Sequence, residues 1–215
     1  MTSIEVKLAR ADPRWDGVLN LLQAGFSLQA PEGLSARAFM REVLRFPEDY
    51  IEGAVSTVFL DGKPVDDIDR AILVDGSRLA LSAAMPGLVG AMMRRGSPYA
   101  SFREGITHRD ARAISARDAA ASREAADGAG ENPAAATAGA SMAMAAPCFV
   151  GIKLFNSVMR DRGPTVLAHG ILLATGTVLS AIAETGLEDL VSGGLDYARG
   201  AAAHCDVLLK VVESP

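Results

Sequence analysis

The chain has 215 residues, 49% of them hydrophobic, with 21 Lys and Arg against 26 Asp and Glu and a formal net charge of −5. That length holds one large or two small domains around a real core, and the acidic balance argues against the basic face that a nucleic-acid binder presents. Cys148 and Cys205 are the only cysteines; two thiols make no disulfide framework, which fits a reducing, cytoplasmic compartment.

The opening residues alternate charged and apolar side chains instead of forming the apolar core of a signal peptide. Ile4, Val6 and Leu8 alternate with polar neighbours, the period of a half-buried strand over residues 3–9. Residues 18–23 and 26–30 are two short apolar runs around Ala24-Gly25, which predicts a hairpin. Ser35 is a suitable N-cap for a helix over residues 35–46, in which Ala36, Phe39, Met40, Val43 and Leu44 share one face, and Pro47 closes it. Strands are predicted over residues 56–60 and 78–82. Asp61-Gly62 and Asp75-Gly76 supply the positive φ angles that tight turns need.

Hairpin, helix and then at least two strands is the β-grasp order, in which a sheet wraps one helix. The stretch Phe59-Leu60-Asp61-Gly62-Lys63-Pro64-Val65-Asp66-Asp67, followed by Asp75-Gly76-Ser77-Arg78-Leu79-Ala80-Leu81, resembles the second half of the ubiquitin-like sulfur carriers of molybdopterin and thiamine synthesis. The resemblance covers residues 17–90. It implies a β-grasp fold and, for a true carrier, a free C-terminal glycine carboxylate that is adenylated and thiolated. Here the matching Pro86-Gly87-Leu88-Val89-Gly90 is followed by more than a hundred further residues, so carrier chemistry requires cleavage near Gly87 or Gly90.

A further strand or hairpin is expected at residues 99–106. Beyond it, residues 110–145 are rich in alanine and lack aromatic side chains, the composition of a mobile linker with a possible short helix at its start. From residue 146 the pattern resumes with a strand at 150–155, a short capped helix interrupted by Gly163-Pro164, and a strand at 170–174. A helix through Thr185 stopped by Gly186 follows, then a last helix bearing Leu187, Leu190, Val191, Leu195 and Ala198, and a final strand at 206–212. Cys148-Phe-Val-Gly-Ile-Lys-Leu and Cys205-Asp-Val-Leu-Leu-Lys-Val share a pattern partly repeated in Ile4-Glu-Val-Lys-Leu. All three read as strands with a lysine outward and aliphatics inward. Residues 163–183 carry no charge and nearly reach the length of a bilayer span. Pro164, His169, Gly170 and Gly176 interrupt the run, so a buried strand and helix are expected and no membrane span.

Candidate chemistry is sparse. Cys148, Cys205, His169 and His204 are the soft-ligand or nucleophile candidates, without the spacing of a metal centre; cysteines at strand starts read as core residues, and His169 as a hydrogen-bonded helix-end residue. Asp66, Asp67 and Asp69 form an acidic cluster in a turn, where capping is the ordinary role. Gly87 and Gly90 with Arg94 and Arg95 are the binding candidates: glycines expose backbone amides and the arginines suit a carboxylate or phosphate. Leu88, Val89, Met92 and Met93 offer an interface instead.

The sequence therefore predicts an α+β protein: a β-grasp-like domain over residues 1–109, an Ala-rich linker over 110–145, and an α/β segment over 146–215 packed on the first domain or on a second copy. No cofactor or metal is implied. The function expected is a non-enzymatic binding or adaptor module, with a protein partner or a homo-oligomer. The alternatives are an enzyme with its site between the two segments and a carrier released by cleavage.

Overall fold

The computed structural model describes residues 2–103, 105–108, 147–202 and 205–214. The alternating N-terminal run forms strand β1 (Ser3–Ala9), with Ile4, Val6 and Leu8 buried. The hairpin predicted next is absent: Trp15–Ala24 is helix α1, and only its second arm is a strand, β2 (Phe26–Pro31). Val18, Leu19, Leu21 and Leu22 are buried along α1. A window of six residues is too short for periodicity to separate strand from helix, and the turn supplied by Trp15 to Gly17 decides it. Gly25 ends the helix at φ 122°, its N–H donating to the Leu21 carbonyl over 3.0 Å.

Helix α2 (Ala36–Glu42) starts where predicted, with Ser35 Oγ accepting from the Ala38 amide. It is shorter than residues 35–46, because Arg45 turns to φ 59° and a separate helix, α3 (Glu48–Gly53), begins after Pro47. Strands β3 (Thr57–Leu60) and β4 (Lys63–Pro64) meet through Asp61 and Gly62, both at positive φ as in a type I′ turn. Strand β5 (Arg78–Ser82) follows. A short helix, α4 (Gly87–Met93), follows, and where a strand or hairpin is predicted at 99–106 the chain instead forms a 3₁₀ turn (Ala100–Arg103). There the Arg103 guanidinium, not a strand ladder, organises the backbone.

Beyond residue 146 come β6 (Pro147–Phe155), α5 (Asn156–His169), β7 (Ile171–Ala174) and α6 (Thr175–Thr185), the last capped by Gly186 at φ 64° as expected. Gly163-Pro164 does not interrupt α5; a proline removes one bond of the ladder, and Gly163 allows close packing, since a Cβ there would lie 2.5 Å from Leu19 Cδ2. The single last helix is replaced by a 3₁₀ turn (Glu188–Leu190), the two-residue strand β8 (Val191–Ser192) and helix α7 (Leu195–Gly200), because Gly193 and Gly194 both take positive φ. Strand β9 (Asp206–Ser214) closes the chain. The uncharged run is thus divided between α5, β7 and α6, and no helix among the described residues is long and apolar enough to cross a membrane.

The protein is mixed α+β, and among the described residues nine strands form one sheet in the order β4-β3-β5-β6-β2-β7-β9-β1-β8. Strand β6 lies between β5, to which it is parallel, and β2, to which it is antiparallel; β9 runs parallel to β1. Strands from the last seventy or so residues therefore fill positions inside the sheet begun by the first eighty. The Ala-rich stretch at 110–145 lies outside the described residues. Helices α1 and α6 pack against one face, where Val18, Leu21, Val178 and Ile182 meet Val6, Leu209 and Val211. Helix α5 packs beside α1 over β9, β5 and β6. Helix α3 joins this layer through Tyr50: the Arg162 guanidinium carbon sits 4.3 Å from the centre of its ring, and its hydroxyl donates to Asp161 over 3.0 Å. Burial and that bond to Asp161 push the Tyr50 phenol well above the ordinary tyrosine value.

Candidate functional site

The opposite face of the sheet carries the outward half of each alternating strand. On β1 these are Ser3, Glu5 and Lys7; on β9, Asp206, Leu208, Lys210 and Val212; on β6, Gly151 and Lys153; on β5, Arg78 and Ala80. The lysine echo now has a location. Lys7, Lys153 and Lys210 stand on one face of one sheet, with their aliphatic neighbours on the other.

In the middle of this face is a groove of about 620 Å³, within the ~300–1,000 Å³ range of small-molecule sites. It exists because three adjacent strands present small side chains outward: Gly151 on β6 and Ser27 on β2, which pair in register, and Ala80 on β5, one outward position along from them. Larger groups rise around them. Phe59 stands beside Ala80, its register partner, and Leu172 opposite Ser27. Two cationic stems lie down on glycines at the rim. Lys153 passes over Gly25, its Cε 3.3 Å from where a Cβ would be, and Arg78 Cγ lies 3.6 Å from the Cβ position of Gly151. Among the described residues neither Arg78 nor Lys153 has an acidic side chain within ion-pair distance. The far end is marked by Ala174 on β7, Thr177 in the first turn of α6 and Asp206 on β9. The groove is lined from both halves of the sequence.

The binding candidates read from the sequence lie elsewhere. Gly87 opens α4 at φ 77°, and Gly90 is buried in it, where a Cβ would collide with the Met85 carbonyl. Arg95 is held down: its Nη2 donates to Ile51 O and Val55 O at 3.0 and 2.9 Å, its Nε to Val55 O at 3.2 Å. Burial pulls its pKa below the ordinary arginine value, with Glu52 opposing. These bonds direct the guanidinium at the end of α3 and not outward toward a ligand. Arg94 offers its carbonyl to Arg103. Leu88 and Val89, expected to offer an interface, remain largely exposed, and so does Phe102, at 73%.

The aspartates have partners of their own. Asp66 takes two donors from the buried Arg103, at 2.6 and 3.1 Å; the remaining Arg103 donors reach Met92 O, Thr107 Oγ1 and Arg94 O. Asp67 accepts from the amides of Asp69 and Arg70, and Asp69 accepts from Arg37 Nε. His169 is exposed at the end of α5, with Nδ1 2.7 Å from Thr165 O. Cys148 is buried on β6 and Cys205 is exposed. His204 lies outside the described residues. No cluster of three or more His, Cys, Asp or Glu among the described residues forms a cation site.

What sequence reasoning missed is the open face itself. Its available signal was the period-two placement of Lys7, Arg78, Lys153 and Lys210, together with the glycines beside three of them: Gly25, Gly151 and Gly170. No known protein family, curated protein or solved structure matches the chain.

Proposed function

We propose that the chain is a non-enzymatic binding module of β-grasp type, and that the face of its sheet opposite the helices, over which no described element packs, is the binding surface. The observation that carries this reading is the groove over Ala80, Gly151 and Ser27: one face of the sheet is sealed by helices, and the other has a built depression rimmed by Arg78 and Lys153. Among the described residues its titratable lining is Arg78, Lys153 and Asp206, with no histidine or cysteine. That set can bind and orient, but it holds no nucleophile–base pair.

The β-grasp reading is supported by the half-sheet β4-β3-β5-β6-β2, in which β5 runs parallel to its central neighbour and antiparallel pairs flank both. That order resembles a grasp sheet, with one difference. The strand that opens a grasp in sequence is supplied here by β6, far later in the chain. The carrier alternative loses physical support for the same reason: cleavage after Gly87 or Gly90 leaves β5 and β2 without the strand between them.

Amide chemical shifts of the full chain during a screen of small soluble fragments test the reading. Binding is expected to move Ser27, Ala80, Gly151, Lys153 and Leu172 together. Shifts confined to Gly87–Arg95, or none on the open face, would overturn it.

A further inference from the structure

Resting on the reading of the open face as a binding surface, we infer that the groove takes an elongated apolar molecule with a single anionic head, a carboxylate or a phosphate, seated between Arg78 and Lys153. Arg78 pairs in register with Gly151, and Lys153 with Ala80, on the adjacent parallel strands β5 and β6. The two cations are therefore diagonal neighbours on one face, roughly 7–8 Å apart at the backbone, and both side chains are long enough to converge on one anion. A planar guanidinium beside a flexible ammonium is the ordinary donor pair for carboxylate or phosphate oxygens.

The rest of the groove sets the shape. From Arg78 on β5 the depression crosses β6, β2 and β7 to Asp206 on β9. Four inter-strand steps of ~4.8 Å give a length of about 19 Å. The floor between is Ala80, Gly151, Ser27, Leu172 and Ala174, which offers little to a polar chain and contact area to an apolar one. Asp206 has no basic side chain within ion-pair distance among the described residues and repels a second anion at the far end. One charged head at the Arg78 end is the arrangement that fits both ends.

Decanoate and decyl phosphate are the probes, with decanol and decylamine of equal chain length as neutral and cationic controls, each titrated into the full chain below its micellar range and followed by amide shifts and calorimetry. Decanoate and decyl phosphate are expected to bind at least tenfold more tightly than decanol, and decylamine more weakly still. The exposed pair Arg78→Gln with Lys153→Gln should remove that margin and leave decanol affinity unchanged. Gly151→Leu, whose added side chain enters the groove from an unstrained strand position, should weaken all four probes. Unfolding midpoints within a few degrees of the unaltered chain establish that the variants fold. Equal binding of decanoate and decanol at the groove amides overturns the anionic ligand and leaves the binding surface standing. Failure of every probe to move those amides overturns both.

Discussion

Leu79 and Ile152 face each other in parallel register on β5 and β6, though almost the whole middle of the chain lies between them in sequence. Each is 1% exposed, and each belongs to the same core cluster. Neither half of the sequence can bury this pair alone, so the two halves are expected to fold together. A fragment ending at residue 90 leaves the β5 and β2 edges open and should show the collapsed amide dispersion of a molten chain. The full chain should unfold in a single transition that near- and far-ultraviolet dichroism report alike. A well-dispersed spectrum from the short fragment, or two separated transitions in the full chain, would contradict this.

Phe39 on α2 is fully buried, in contact with the core that α3 and β3 complete. Truncating it leaves a cavity that surrounding side chains only partly fill. Phe39→Ala is therefore expected to cost about 3–5 kcal/mol in urea unfolding, with the denaturant slope unchanged. A loss within about 0.5 kcal/mol, the size of a surface substitution, would place Phe39 outside the core.

Arg103 has a side chain only 1% exposed, and Asp66 is its carboxylate partner. Asp66→Ala removes the acceptor of two of its five bonds and leaves a buried cation without its carboxylate; Asp66 is itself 39% exposed, so the expected cost is about 1–3 kcal/mol. Replacing both, Asp66→Ala with Arg103→Met, should recover a good part of that loss, because no uncompensated charge is left behind. If the double variant is as unstable as the sum of the singles, the pair is not acting as a unit.

The local parts of the fold were legible because their causes are local. Asp61 and Gly62 take the positive φ angles their types tolerate, Ser35 caps α2, and Gly186 ends α6. Periodicity also placed the lysines of β1, β6 and β9 outward. It could not say that β6 inserts between β5 and β2, since the alternation of Cys148, Val150, Ile152 and Leu154 suits any sheet with one covered face. The candidate groove was illegible for the same reason. Gly87, Gly90, Arg94 and Arg95 stood out as neighbours in sequence, yet the carbonyls that occupy Arg95 belong to Ile51 and Val55. The groove, in turn, depends on small residues from three strands far apart in the chain.

The two thiols should differ sharply. Cys148 is buried on β6, and burial, with Glu32 and Asp75 adding repulsion, pushes its pKa up, so little thiolate is available to react. One equivalent of a disulfide reagent should react promptly with exposed Cys205, and the second only as fast as the sheet opens. Equal rates in the native chain would mean that β6 is not held in place.

Acid stability offers a test of the first turn. Asp12 accepts from the Arg14 amide, Nε and Nη2 at 2.9, 2.9 and 2.6 Å, while Arg14 Nη1 reaches the Gly186 carbonyl at the end of α6. The Arg14 side-chain bonds first, and its backbone bond second, hold the Asp12 carboxyl at about 2, below the ordinary 3.8. A carboxyl whose folded pKa is depressed adds stability that is fully present above the unfolded pKa, roughly 3.9, and is lost as pH falls through the folded value. The difference in unfolding midpoint between the native chain and Asp12→Asn should therefore be constant above about pH 5 and shrink from about pH 4 toward pH 2. Raising the salt should also shrink the difference at neutral pH, because the pair is partly solvent-exposed. A difference that grows on acidification would show that Asp12 is not held ionised by Arg14 in the folded chain.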